Sequence, residues 1–196
     1  MTDSGSCHES ILRTVHDKNI EYISLWFTDI LGFLKSFTIT REELEDALQN
    51  GTGFDGSSIK GFARIDESDM FAMPDPETFK ILPWKAYDGA EVARMFCNIV
   101  TVDGNPYPGD PRFILKRALK RAEDCGYTFY VGPELEFFYF KGAEAPPQPL
   151  DKAGYFDQVP SDIGRTLRKK TIKALKEMDM AVETSHHEVA HSQHEI

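Results

Sequence analysis

No apolar run in this chain approaches the roughly 18 to 20 residues that a membrane-crossing helix needs. The opening MTDSGSCHES lacks the basic and then apolar layout of a secretory signal. Cysteine is scarce: Cys7, Cys97 and Cys125 lie far apart and form no CxxC pair, which excludes a disulfide framework and a zinc ribbon. HEVAH at 187–191 has the HExxH spacing, but a zinc protease needs that motif on a helix and this end of the chain is strand-like, so such an enzyme is poorly supported. Positive charge is also in short supply. Twenty-two Lys and Arg against 32 Asp and Glu leave a net charge of −10, and phosphate-backbone binding needs clustered cations. These absences predict a cytoplasmic protein with reduced thiols and neither nucleic acid nor membrane as partner.

What is there suits an ordinary globular core. The chain has 196 residues, 41% of them hydrophobic, enough for one large domain or two small ones. No internal repeat or low-complexity segment is visible. Ile11, Leu12 and Val15 predict a short helix within 8–19, and EYISLWFTDILGFLKSFTIT reads as two strands joined near Asp29 to Gly32. TREELEDALQNG predicts a threonine-capped helix over 41–50 that closes at Gly51. Strands are expected near 71–73, 78–82 and 93–102. DGNPYPGDPR has the composition of a domain boundary. Past it, 111–125 reads as a helix with Ile114, Leu115, Ala118, Leu119 and Ala122 on one face. YTFYVGPELEFFYF reads as a strand pair or one long strand, 161–178 as a helix, and the end of the chain as strand-like. Strands and helices without regular alternation favour an α+β fold.

Three stretches carry candidate chemistry. In PELEFF, residues two apart on a strand share a face about 6.5 to 7 Å apart. Glu134 and Glu136 would then project together while Leu135 and Phe137 face the core. A hard divalent ion relieves the repulsion between two such carboxylates, but a solvent-facing strand edge with two charges fits the spacing equally. The closing SHHEVAHSQHEI gathers four of the six histidines with Glu188 and Glu195. Carboxylates with His186, His187 and His194 suit a divalent-metal site. The competing reading is a disordered tail, against which Val189 and Ile196 are spaced like core residues. In FDGSSIKGF, Asp55 could act as a base or bind an amine, although most Asp-Gly-Ser runs are simple turns.

Taken together, GFDGSSIKGFARIDESDMFAMPDP, GDPR, GPELEFF, KAGYFD and HHEVAHSQHEI, in this order, resemble glutamine synthetase of the bacterial and archaeal long-chain branch from about residue 20 onward. The resemblance implies a β-grasp domain over 1–103 and the beginning of a catalytic α+β domain over 104–196. It implies ATP-dependent joining of ammonia to glutamate through γ-glutamyl phosphate, with two Mg²⁺ or Mn²⁺ ions per site. By motif position Glu136, Glu188 and Glu195 would bind the ion beside glutamate, and Glu134 the ion that serves ATP. Asp55, with Ser58 beside it, matches the group that binds ammonium and takes its proton. Tyr155 matches the wall of that pocket, Glu183 a residue near the nucleotide, and Arg64 a point of feedback control. The family's assembly is a homo-oligomer of two stacked hexameric rings with sites shared between neighbours.

Two positions depart from the pattern. His191 replaces a proline or small residue, and Ser192 stands where alanine is common; His191 is expected to point outward. The family's catalytic domain also runs well past this point, with further metal and phosphate ligands. The chain therefore reads as an amino-terminal portion whose site is incomplete and which is inactive alone. A sheet cut in mid-domain would expose an edge and an apolar face, so poor solubility is expected. The alternatives are a non-catalytic metal- or partner-binding regulatory short form, a ligase joining glutamate to another amine, and, more remotely, metal storage.

Overall fold

The computed structural model describes residues 4–59 and 69–196; Arg64 lies outside them. The chain forms two compact units, Met1–Phe129 and Tyr130–Ile196. Both mix helix and strand without βαβ alternation, the α+β class that the pattern predicts.

The first unit is built on a mixed sheet in the order β2-β1-β6-β4-β3, with β5 paired to β6. Its strands are β1 (Ile20–Thr28), β2 (Leu34–Thr40), β3 (Thr52–Asp55), β4 (Asp69–Pro74), β5 (Lys80–Ile81) and β6 (Glu91–Thr101). Strand β1 shows why this sequence folds as a half-buried strand. Ile23, Leu25 and Phe27 are buried while Ser24, Trp26 and Thr28 between them are partly open, the period of two expected of a sheet with one covered face. The cover is two helices, α1 (Ser4–Asp17) and α2 (Leu44–Asn50), which pack on each other and on β1 and β4. Ile11 and Val15 from α1 and Leu44, Ala47 and Leu48 from α2 meet Ile20, Ile23, Leu25, Met95, Cys97 and Ile99 in one core.

Polar anchors fix the connections. Asp29, buried at the β1–β2 turn, accepts the N–H groups of Leu31 and Phe33, each at 2.9 Å, and pairs with Lys35 at 3.2 Å. Asp110 is fully buried at the start of α3 (Pro111–Asp124). Its carboxylate accepts Arg112 N–H at 2.9 Å as a helix cap and Ile99 N–H at 3.0 Å from the end of β6. The Asp-Pro of GDPR therefore both starts the helix and ties it to the sheet.

Several expectations need correction. Thr40 makes no side-chain cap; a 3₁₀ turn over Arg41–Glu43 comes first and the α-helix begins only at Leu44. The 78–82 strand shrinks to Lys80–Ile81 because Asp75 caps a 3₁₀ turn over Pro76–Thr78. The apolar face of α3 stays open, with Ile114, Leu115 and Leu119 exposed. From 127 to 140 only β7 (Glu136–Phe138) is strand, so neither a pair nor one long strand forms. The helix expected over 161–178 is α4, Arg165–Glu177; it starts late because Asp162 is engaged as an ion-pair partner ahead of it.

Gly51 closes α2 at φ 73° and ψ 176°, a region open in practice only to glycine. A Cβ there would overlap Met73 Sδ and sit 3.2 Å from Ala72 O. Gly51→Ala should cost about 1–3 kcal/mol, read from the fluorescence of Trp26 and Trp84, both in the first unit. Gly53→Ala, whose Cβ would make only an ordinary 3.6 Å contact, serves as the comparison. Equal melting temperatures for the two variants would contradict this reading of Gly51.

Candidate metal centre

Unit Tyr130–Ile196 holds a three-stranded antiparallel sheet in the order β7-β9-β8, with β8 spanning His186–His187 and β9 Gln193–Glu195. Its register places Glu136 opposite Glu195 and Glu195 opposite His186, one row across three strands. The next row is Phe137, His194 and His187. Cross-strand partners share a face and neighbours along a strand do not. The ionisable residues of the closing motif are thereby sorted onto opposite faces.

One face gathers acids. Ligand atoms of His186, Glu188 and Glu195 lie within 4.8 Å of one another. His186 Nδ1 is 3.3 Å from Glu188 Oε1, and its Nε2 is 3.5 Å from Glu195 Oε2. Burial pushes the Glu195 carboxyl pKa up, helped by its hydrogen bond with Glu188 and by the charge of Glu134, with His186 opposing. Burial is the main cause, and the neighbouring carboxylates add to it. Glu134 thus joins the cluster electrostatically, although it lies outside β7 and is exposed. Glu136, also exposed, holds its place in the row and accepts Gln193 Nε2 at 2.7 Å. The two carboxylates and one imidazole of the cluster, with Glu134 and Glu136 alongside, are donors suited to Mg²⁺ or Mn²⁺, so the set fits a divalent cation.

An aromatic wall borders this face. Tyr155 and Phe156 stack at 4.0 Å and both turn their rings edge-on to His186, at 5.3 and 4.8 Å. Phe156, at φ 60°, is pinned by its N–H to His187 O at 3.1 Å. Tyr155 stands beside the cluster, half exposed.

The opposite face is buried and internally paired. His187 and His194 are fully buried, with ring centroids 4.7 Å apart. Arg168 from α4 donates to both oxygens of Asp162, at 3.0 and 2.6 Å, and to Ser185 Oγ at 3.1 Å. It also donates to His194 Nδ1 at 2.6 Å. The His194 proton then belongs on Nε2, which has no partner among the described residues and faces Gly164. Burial, then Arg168 and His187, pushes the His194 pKa down. His187 sets Nδ1 at 2.6 Å from Glu188 O and Nε2 at 3.0 Å from Asp151 Oδ1.

Asp55 and Ser58 belong to the first unit. Asp55 Oδ1 accepts Ser57 Oγ at 2.6 Å and Ser57 N at 2.9 Å, and Oδ2 accepts Ser58 Oγ at 3.2 Å. The Ser57 bonds first, then Ser58, hold its pKa below the usual carboxylate range. Such a group binds a cation better than it removes a proton. Glu183 is exposed in the segment leading to β8.

Some expectations change here. Leu135 does not face a core; it is 58% exposed, because at this edge it pairs only by backbone with Ile196. Phe137 turns inward against Tyr139 and His194. Val189 is exposed because it lies in the β8–β9 turn, where the period of two breaks. His191 is exposed, as expected, while Ser192 is buried. Spacing alone did not separate His186 from His187 and His194, although alternation along His-His-Glu contains that distinction. Asp151, Asp162 and Arg168 carried no local signal.

Losing the guanidinium would leave Asp162 charged and alone, since both side chains are almost wholly buried. Arg168→Met should lower amide protection in β8 and β9 by about 3–5 kcal/mol in hydrogen exchange. A change under about 1 kcal/mol would show that the pair is not needed.

Comparison with known proteins places these features in a family. Residues 19–102 match the family model described as glutamine synthetase, beta-Grasp domain, and residues 108–196 the one described as glutamine synthetase, catalytic domain. A glutamine synthetase of Mycolicibacterium smegmatis is 51% identical over 192 residues, covering 96% of this chain and 43% of the relative. That of Methanosarcina mazei is 50% identical over 191 residues, covering 96% and 42%. The cryo-EM structure of Plasmodium falciparum glutamine synthetase superposes with a TM-score of 0.87 at 25% identity, over 100% of this chain and 44% of that one. The chain thus spans less than half the length of the curated relatives it matches. Among the described residues no helix is long and apolar enough to cross a membrane. With its β-grasp sheet, its catalytic-domain strands and their acidic row accounted for, the chain belongs to the glutamine synthetase family.

Proposed function

We propose that this chain serves the ATP-dependent joining of ammonia to glutamate, through γ-glutamyl phosphate. The observation that carries the reading is the acidic face at His186, Glu188 and Glu195, with Glu134 and Glu136 alongside and Tyr155 at its edge. It lies within the stretch matched by the catalytic-domain model. The boundary between the β-grasp and catalytic domains falls near residue 103.

In this reading Glu136, Glu188 and Glu195 hold one Mg²⁺ or Mn²⁺ and Glu134 contributes to a second. Ions held there would neutralise phosphate charge and make the γ-phosphoryl group electrophilic. The protein groups do the rest. The carboxylates, with the Glu195 pKa raised by burial and then by its acidic neighbours, supply a fixed negative wall. Asp55, kept ionised by Ser57 and Ser58, presents a charge to ammonium, because a desolvated cation needs partners. The Tyr155 ring shields the cluster's edge, and Glu183 approaches the nucleotide. The working assembly is a cytoplasmic homo-oligomer of stacked hexameric rings.

Two measurements check the reading. Mn²⁺ titration followed by electron paramagnetic resonance should show binding that weakens from pH 7.5 to pH 5. A carboxyl group with a raised pKa is among the first to take up a proton as pH falls, and that proton must leave before metal binds. Glu188→Gln and Glu195→Gln should each weaken binding by more than the roughly tenfold that loss of an outer partner costs. Affinity that stays flat with pH would count against carboxylate ligation. Second, the protein expressed in its own host should release phosphate from ATP only with both glutamate and ammonia present. Release that requires a primary amine in place of ammonia would move the assignment to another amine.

A further inference from the structure

Behind the acidic face lies a buried network that never touches it. Asp151 lies on the far side, its side chain 1% exposed, and it joins several segments at once. Its Oδ1 lies 3.0 Å from His187 Nε2 and accepts Ser192 N–H at 3.2 Å and Ala153 N–H at 3.3 Å. Its Oδ2 accepts Ile163 N–H at 3.2 Å. Its backbone N–H donates to Ser192 Oγ at 2.7 Å, and that hydroxyl donates back to Asp151 O at 3.1 Å. One buried carboxylate thus grips β8, the β8–β9 turn and the approach to α4.

Two of these grips reach the acids through the backbone. His187, held by Asp151, sets its other ring nitrogen 2.6 Å from the carbonyl oxygen of Glu188. Ser192, held by the same carboxylate, lies three residues before Glu195. We infer that Asp151 is a positioning residue for the metal cluster: acting through His187 and Ser192, it fixes where Glu188 and Glu195 stand relative to one another. This rests on the divalent-metal reading of that face.

Asp151, His187 and His194 could themselves be read as a buried metal site, since their ligand atoms also lie within 4.8 Å of one another. The geometry favours a hydrogen-bonded support. The Arg168 guanidinium lies 2.6 Å from His194 Nδ1, where it repels a cation, and both His187 nitrogens already face oxygen. With its guanidinium turned to this face, the network excludes the charge that the opposite face invites.

The test is Mn²⁺ affinity of the chain, measured by electron paramagnetic resonance, for wild type, Asp151→Asn, His187→Gln and Met178→Ala. Met178 is a buried apolar residue of the same unit with no part in the network, so its variant reports what lost stability alone does. Asparagine at 151 keeps the shape and loses the charge; glutamine at 187 can still reach Asp151 but gives up the bond to Glu188 O. Both should weaken Mn²⁺ binding about 10- to 100-fold at a temperature where all four proteins are folded, with Met178→Ala unchanged. If Asp151→Asn does not fold, His187→Gln carries the comparison. Wild-type affinity in the folded variants would overturn the inference while leaving the metal site standing, and so would equal weakening in all three. A wild type that binds no Mn²⁺ would remove the metal reading and the inference with it.

Discussion

The period of two along a strand is the constraint on which the candidate site depends. In His186-His187-Glu188 and in Gln193-His194-Glu195, consecutive side chains go to opposite sides of one thin sheet. Every imidazole or carboxylate is therefore assigned to one of two environments, and the two solve the problem of charge in opposite ways. Slipping either strand by one residue would exchange His187 for Glu188 and His194 for Glu195. That would bury acids beside Asp151 and Asp162.

On the inner side, charge is balanced within the protein. Arg168 pairs with Asp162 through two bonds, and Asp151 collects His187 with several backbone N–H groups. The remaining polar atoms have few places to go, and His194 Nε2 finds no partner among the described residues. A network satisfied at nearly every atom specifies one geometry, because each alternative strands a buried polar group. On the outer side, among the described residues, only His186 stands against the acids. His186 stands between Glu188 and Glu195, and the Glu195 carboxyl still holds its proton more tightly than an ordinary one. In the proposed reading the rigid inner face keeps the outer acids from relaxing apart, and the imbalance would persist as affinity for a divalent cation. In the first unit Asp55 takes the other course, holding an ionised carboxylate with hydroxyl and amide donors two and three residues on.

Much of this was legible in the sequence. The alternation of Ile23, Leu25 and Phe27, the turn at Asp29 to Gly32 and the Asp-Pro helix start each follow from one local rule, and the structure holds all three. The closing motif announced its acids by composition, and the family resemblance matched the comparisons. What stayed hidden depended on distant partners. Asp151 and Ser192 are 41 residues apart, and nothing near either hints at the bond between them. The helix expected over 161–178 starts only at Arg165, because the Asp162 carboxylate ahead of it is committed to Arg168. Leu135 reads as core because Glu-Leu-Glu alternates, but alternation names two faces without saying which is covered. Val189 misleads similarly, since its spacing runs through a turn.

On the proposed reading, alternation leaves only one of the two faces receptive to a cation. Anomalous diffraction from crystals soaked in Mn²⁺ tests it most directly. A peak is expected within bonding distance of Glu188 and Glu195, on the His186 side of the sheet, and none between Asp151, His187 and His194. A peak on the buried side, or none at the acidic row in crystals that hold Mn²⁺ elsewhere, would contradict it.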